Sequence, residues 1–293
     1  MSSLLTNTSA MTALQSLTQT QRYMNTTENQ ISTGLAISSA ADNASYWSIA
    51  TQMNSDIGAL GAVNSALSES QSMIATMTTA MQSTISAMDA IKQDLVTAQQ
   101  PGASLTKIQS DITAQQNALL SIGQSASFNG QNYLETTGGT VNLVSSYDAA
   151  NGVSFLSLNT TNTALFNATT GATSGILGVS GAAYTAASIL TLNITAATSG
   201  DLANMLTDVQ TAISSITSAA STLGSMTTNL TTQQNYVSNL SDSLTTGVGS
   251  LVDANMNEAA TRLAALQVQQ QLGVQALSIS NSNTQLILKL FGL

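Results

Sequence analysis

The chain has 293 residues, 43% of them hydrophobic and only 6% charged, and its five basic and fourteen acidic residues give a net charge of −9. Ordinary soluble domains carry about 25% charged residues, so most of this surface must be neutral. Five basic residues are too few to form a basic surface that binds nucleic acid or anionic lipid. The absence of Cys and His excludes disulfides, thiolate or His-ligated metal sites and Ser-His-Asp triads, so we expect no enzymatic activity, cofactor, metal or small-molecule substrate.

The N-terminal segment has no positive charge before Arg22 and no long apolar stretch typical of a cleaved secretory signal. It carries a seam, meaning a row of side chains at alternating three- and four-residue spacing on one helix face. This seam reads Leu14, Leu17, Gln21, Met24, Glu28, Ile31 and Leu35. Gln21 and Glu28 interrupt it, and such residues either fix the helix register or face water. We favour water for Glu28, because burying a carboxylate is costly.

The middle of the chain has the periodicity of long helices. Pro101 and Gly102 end the first one, and Ser104 is placed to cap the second. The three seams read Leu60, Val63, Leu67, Ser70, Ile74, Met77, Met81, Thr84, Met88, Ile91 and Leu95; then Leu105, Ile108, Ile112, Gln115, Leu119 and Ile122; then Val209, Ile213, Ile216, Ala220, Leu223, Thr227, Leu230, Gln234, Val237, Ser241, Leu244, Val248 and Leu251. Three such helices predict a mainly α fold, an elongated antiparallel bundle.

Residues 136–200 have a different composition, rich in Gly, Thr and Asn. Short alternating segments at 141–144 and 189–194 are typical of strands. We therefore predict a small β-containing insertion between the helices.

The C-terminal segment is apolar on two faces. One seam reads Leu263, Leu266, Gln270, Gly273, Leu277, Ser280, Thr284, Ile287 and Phe291, and the other reads Val268, Leu272, Ala276, Ile279, Asn283, Leu286 and Leu290. A helix with two apolar faces needs partners on two sides. We expect the N-terminal helix to cover one face and neighbouring copies of the chain to cover the other.

Several segments, in order, resemble the bacterial flagellin family. Residues 31–50 read ISTGLAISSAADNASYWSIA, which is similar to the N-terminal signature of that family at Gly34, Leu35, Ser39, Ala40, Asp42 and Asn43. Phe128, Asn129 and Gly130 resemble its FNG segment, and residues 252–259, 269–273 and 287–291 resemble its last helix. The resemblance covers roughly residues 1–135 and 200–293. The short insertion and the Tyr46-Trp47 pair are similar to compact flagellins of alphaproteobacteria.

The resemblance implies a layout and a set of partners. Residues 1–40 and 256–293 would form the inner core of an extracellular flagellar filament. Residues 41–135 and 201–255 would form its outer core, and residues 136–200 would face solvent. The chain would self-assemble into a helical homopolymer after export through the flagellar secretion channel without signal cleavage. The other implied partners are hook–filament junction proteins, a filament cap and an export chaperone.

The residues that we expect to carry polymerisation share an apolar side chain on the terminal seams. They are Leu14, Leu17, Met24, Ile31, Leu35, Leu263, Leu266, Leu272, Leu277, Ile279, Leu286, Ile287, Leu290 and Phe291.

Two other functions remain open at this point. A hook–filament junction protein shares the terminal helices, although such proteins match the signature more loosely. A secreted membrane-active translocator would favour basic or strongly apolar segments, which this chain lacks. Liposome binding by the monomer would distinguish the translocator.

Overall fold

The computed structural model describes residues 7–167, 174–185 and 187–290, with side chains described up to residue 282. Within these residues lie five α-helices and one β-hairpin, whose bounds are α1 (Thr8–Thr33), α2 (Ala44–Ala98), α3 (Leu105–Ser125), β1 (Thr140–Asp148), β2 (Gly152–Asn159), α4 (Ser199–Val252) and α5 (Met256–Leu290). Two 3-10 turns cover Thr160–Asn162 and Ile189–Thr191. The prediction of a mainly helical chain with a small β-containing insertion is confirmed.

The chain divides into two compact units. Unit 1 comprises Met1–Ile57 and Asp242–Leu293, and unit 2 comprises Gly58–Ser241. Unit 1 thus holds α1, α5, the beginning of α2 and the end of α4. Unit 2 holds α3, the hairpin and the longer parts of α2 and α4.

The core of unit 2 follows the predicted seams closely. Every position of the predicted α2 seam, from Leu60 to Leu95, is buried. The α4 side chains that face it are also buried at Val209, Ile216, Leu223, Leu230 and Val237. Two hydrogen bonds show that the helices run antiparallel, from Gln71 Nε2 to Thr231 Oγ1 at 3.3 Å and from Gln234 Nε2 to Ser68 Oγ at 2.9 Å.

The start of α3 differs in one detail from the prediction. Ser104 occupies the N-cap position, but its side chain makes no capping hydrogen bond. Its backbone carbonyl instead accepts from the amides of Lys107 at 3.0 Å and Ile108 at 3.1 Å. Ser104 is therefore a cap by its extended backbone alone.

The insertion contains one of the two predicted strands. β1 pairs with β2 in antiparallel register, with Leu143 opposite Leu156 and an irregularity between Val144 and Ser146. The prediction of a second strand at 189–194 was wrong, since this segment begins with the 3-10 turn Ile189–Thr191.

Side chains of α3 explain why residues 189–194 do not pair as a strand. Gln116 Nε2 donates to the carbonyls of Ile189 at 2.9 Å and Leu192 at 3.0 Å, and Gln109 Oε1 accepts from the amide of Ile194 at 2.7 Å. These bonds occupy the backbone groups that a strand would use. The apolar residues of the segment, Ile189, Leu192 and Ile194, are buried.

Candidate functional site

The terminal helices α1 and α5 pack together along one seam each. On α5 the first predicted seam is confirmed over the described side chains, because Leu263, Leu266, Gln270, Gly273, Leu277 and Ser280 are all buried or half-buried. Leu17 of α1 lies over Gly273, where an added Cβ would come within 3.3 Å of Leu17 Cδ1. Gly273 thus lets the two helices approach closely.

The α1 side of this contact differs from the predicted seam. Met24 is buried and Leu17 and Ile31 are half-buried, but Leu14 is 54% exposed and Glu28 is exposed as well. Two threonines outside the predicted seam, Thr20 and Thr27, are buried instead. Thr20 Oγ1 donates to the Ser16 carbonyl at 3.0 Å, and Thr27 Oγ1 donates to the Tyr23 carbonyl at 2.9 Å. A hydroxyl satisfied by its own helix leaves a compact side chain suited to burial.

Two polar contacts fix the alignment of α1 against α5. Gln270 Nε2 donates to Gln21 Oε1 at 2.8 Å. Nearer the end of the pair, Asn7 Nδ2 donates to the Ser280 carbonyl at 3.1 Å, while Asn7 Oδ1 caps α1 by accepting from the Ala10 amide at 3.0 Å. Both contacts require one axial alignment, so a shifted pairing would break them together.

The second apolar seam of α5 is open. Its described large side chains are strongly exposed, with Leu272 at 58% and Ile279 at 62%, and Val268 is similar. On α1, Leu14 and Met11 are exposed as well. The prediction that α1 covers only one of the two faces is therefore confirmed for the described side chains. Leu286, Ile287 and Leu290 lie in α5 without described side chains, and Phe291 is outside the described residues.

Exposed apolar side chains concentrate in unit 1. Among the described residues sixteen large apolar side chains are exposed, and eleven of them belong to unit 1, although unit 2 is longer. Three of them, Tyr46, Trp47 and Ile49, lie in the first turns of α2. Large exposed apolar patches mark interaction surfaces, so unit 1 is the candidate functional site.

The loop after α1 is hydrogen-bonded to the end of α4 within unit 1. Gly34 ends α1 in the left-handed conformation, with φ 74°, which a glycine adopts without strain. The chain then pairs with the end of α4, since the Ala36 amide donates to the Val252 carbonyl at 2.7 Å and the Ala254 amide donates to the Gly34 carbonyl at 2.8 Å. Half-buried Leu35 packs against a small core that includes buried Val252.

The remaining signature residues organise the start of α2. Asp42 Oδ2 accepts from the amide and hydroxyl of Ser38, at 3.0 and 3.1 Å, and from the same groups of Ser39 at the same distances. The amides, Ser39 first, hold the pKa of Asp42 below its usual range. Asn43 Oδ1 accepts from the amides of Ser45 and Tyr46 at 3.1 and 3.2 Å and so begins α2, while Ala40 is exposed. Asp42 and Asn43 therefore have structural roles.

The Phe128-Asn129-Gly130 segment forms a tight turn in unit 2. The amides and carbonyls of Phe128 and Gln131 exchange two hydrogen bonds, at 2.8 and 2.9 Å. Asn129 has φ 51° and Gly130 has φ 77°, and two consecutive positive φ angles favour Asn-Gly. This geometry explains why these residue types occupy the segment.

Charge contributes little to this site. The one ion pair among the described residues joins Arg262 to Glu258 at 2.8 Å on an exposed face of α5. Within the same part of the chain, no cluster of three acidic side chains is arranged to hold a metal ion. None of the described helices is both long and apolar enough to cross a membrane. The exposed side chains of unit 1 that the structure describes are thus mainly apolar or neutral polar.

Comparison with known proteins agrees with these features. The sequence-family model of the bacterial flagellin N-terminal helical region matches residues 4–138. The family model of the bacterial flagellin C-terminal helical region matches residues 206–291. The chain is 42% identical to a flagellin of Brucella melitensis and 39% identical to flagellin C of Rhizobium meliloti, in each case over 99% of both chains. It is also 35% identical to flagellin A of Rhizobium meliloti, over 99% of this chain and 100% of the relative. The chain therefore belongs to the bacterial flagellin family, whose members are the structural subunits of the flagellar filament.

Proposed function

We propose that this chain polymerises through the exposed seam of α5 and the outward face of α1, each copy covering apolar surface of the next. The observation that carries this proposal is the open second seam of α5, with Leu272 and Ile279 directed away from α1. Full burial of a leucine or isoleucine contributes about 1.5–3 kcal/mol. A few such residues on each copy, repeated around a helical polymer, give an interface of the obligate class.

The neutral surface supports the same proposal. Charged residues make up only 6% of the chain, so burying the faces around the seams removes few ions from water. Desolvating an ion costs several kcal/mol, whereas a back-bonded hydroxyl has already satisfied its donor. Thr12 and Thr18 on the outward face of α1 bond their own helix in this way, at 3.0 and 2.8 Å. Assembly of this chain should therefore depend only weakly on ionic strength.

Membership of the family supports a proposed position for each segment in the polymer. Residues 1–40 and 256–293 line the filament interior, and residues 41–135 and 201–255 form the layer around it. Residues 136–200 face solvent. Met24, Leu263 and Leu266 hold α1 and α5 together as one building element for the inner layer.

Export and partners are proposed on the same basis. The chain leaves the cell through the flagellar secretion channel, without signal cleavage, in the company of an export chaperone. It then joins hook–filament junction proteins at one end of the filament and a cap at the other. Its role is structural rather than catalytic, since the chain has no His or Cys and its contacts are apolar.

Hydroxyl-radical footprinting of monomer and filament tests which surfaces assembly covers. Met11 and Met256 are exposed reporters in unit 1, and Phe155 is an equally accessible reporter on the hairpin of unit 2. We expect Met11 and Met256 to lose most of their reactivity in filaments while Phe155 retains it. Retained reactivity at Met11 and Met256, with loss at Phe155, would show that the hairpin makes the contacts instead.

A further inference from the structure

The chain contains two Asn-Gly steps, at Asn129-Gly130 and Asn151-Gly152, in different local structures. Glycine after asparagine leaves the backbone nitrogen open to the asparagine side chain, because there is no Cβ in the way. Asn151 is exposed in the loop between β1 and β2. We infer that Asn151 is a site of spontaneous deamidation and that Asn129 is protected by its turn.

The reaction needs only water. The amide nitrogen of Gly152, after losing its proton to hydroxide, attacks Cγ of Asn151. The N–Cγ bond forms, the Cγ–Nδ2 bond breaks, and Nδ2 leaves as ammonia with a proton taken from water. Water then opens the resulting succinimide. Cleavage at Cγ gives aspartate, and cleavage at the backbone carbonyl carbon gives isoaspartate.

Backbone restraint distinguishes the two asparagines. Asn129 lies at φ 51° inside the turn closed by two hydrogen bonds between Phe128 and Gln131. Its Nδ2 also donates to Glu69 Oε1 at 3.2 Å. The peptide must rotate out of this turn before the Gly130 nitrogen can approach Cγ. Asn151 lies outside both strands, just before Gly152, which pairs with Asp148 at the start of β2. Its own restraints are fewer, namely the hydrogen bonds of its amide and Nδ2 to the exposed Asp148 carboxylate.

The product would loosen the loop in which it forms. Asp148 Oδ1 accepts from the Ala150 amide at 2.8 Å, the Asn151 amide at 2.9 Å and Asn151 Nδ2 at 3.1 Å. The two amides, Asn151 first, hold the pKa of Asp148 below its usual range. Deamidation replaces the Nδ2 donor with a carboxylate oxygen facing Asp148, so attraction becomes repulsion between like charges. Isoaspartate also lengthens the main chain by one methylene before Gly152.

The test uses the full chain incubated at mildly alkaline and mildly acidic pH, then digested with chymotrypsin. Cleavage after Tyr147 and Phe155 releases residues 148–155, and cleavage after Phe128 and Tyr133 releases residues 129–133. Mass spectrometry follows the replacement of NH₂ by O⁻ in each peptide. We expect the 148–155 peptide to convert about fivefold faster, because three hydrogen bonds restrain Asn129 and two restrain Asn151, and one net hydrogen bond is worth about 1 kcal/mol. Conversion should slow at acidic pH.

Two controls make each outcome decisive. The Asn151→Gln variant should lose the fast conversion and leave the slow one unchanged. The urea-denatured chain should convert at both sites at similar rates. Equal rates in the folded chain, or conversion only after denaturation, would overturn the inference.

Discussion

The amide of Gln270 on α5 donates to the side-chain oxygen of Gln21 on α1 at 2.8 Å, joining residues 249 apart in the sequence. Both side chains are half-buried in the seam, between apolar neighbours. A partly buried amide without a partner destabilises by about 1–3 kcal/mol, so a slipped pairing of the helices is disfavoured. The pair therefore sets the register in which α1 covers α5, and with it the face of α5 that stays open.

Removing one partner should weaken α1–α5 pairing. We expect Gln21→Ala to reduce the local stability by about 1 kcal/mol, because it leaves the Gln270 amide without its acceptor. Hydrogen exchange of the α5 amides measures this change. Gln19→Ala, on the exposed side of α1, is the matched control and should have little effect. Equal exchange in the two variants would show that the Gln21–Gln270 bond contributes nothing.

A glycine of α3 accommodates an aromatic ring in unit 2. A Cβ at Gly123 would overlap the ring of Phe166, which is almost completely buried. Gly123→Ala should therefore destabilise unit 2 by about 1–3 kcal/mol, the usual effect of overpacking. Gly224→Ala in α4 is the control, since nothing lies within 4 Å of its Cβ position, and it should stabilise by roughly 0.5–1 kcal/mol. Urea unfolding compares them, and a stable Gly123→Ala variant would contradict this packing.

Mild acid should raise the free energy of unfolding of unit 2 through Asp94, which lies near the end of α2. Burial raises the pKa of Asp94, and the neighbouring Asp111 carboxylate adds to the shift. A folded-state pKa above the unfolded value means that the folded chain holds the proton more tightly. This contribution to stability is full below the unfolded pKa and is lost as pH rises through the folded pKa.

Replacement of Asp111 separates the two causes of this shift. Asp111→Asn should stabilise unit 2 at neutral pH, because it removes the repulsion between the two carboxylates. For the same reason, mild acidification should raise the free energy of unfolding of this variant by less than it does in the wild-type chain. Asp89→Asn removes the same charge at an exposed position on α2. It should leave the stabilisation of unit 2 by mild acid unchanged. Urea midpoints at the two pH values measure this. If mild acid stabilised Asp111→Asn as much as the wild-type chain, the two carboxylates would not interact.

Trp47 gives an optical signal for assembly. It is the single tryptophan of the chain and is 39% exposed, three residues before buried Ala50. If neighbouring copies cover this part of unit 1, its emission should shift to shorter wavelength and become harder to quench with acrylamide. Leu272→Asp chains under the same conditions provide the unassembled control. Unchanged emission in filaments would place Trp47 outside the contacts.

The sequence predicted the seams where large apolar residues recur, and it failed where polar groups replace them. The α2 seam was recovered completely because leucine, isoleucine and methionine keep the spacing almost without interruption. On α1, the predicted seam included exposed Leu14 and left out buried Thr20, since hydropathy does not register a hydroxyl bonded to its own helix. The buried Asp208 carboxylate binds the Ala183 and Tyr184 amides at 3.0 and 2.6 Å, and side-chain-to-backbone contacts of this kind leave no periodic pattern.

Electron microscopy of seeded assembly, on matched aspartate variants, tests the central claim most directly. Leu272 in unit 1 and Phe155 in unit 2 are both 58% exposed, so a charge at either position leaves the folded subunit intact. We predict filaments from the wild-type chain and from Phe155→Asp, and none from Leu272→Asp despite an unchanged helical content. Normal filaments from Leu272→Asp would contradict the claim that the open seam of α5 holds the polymer together.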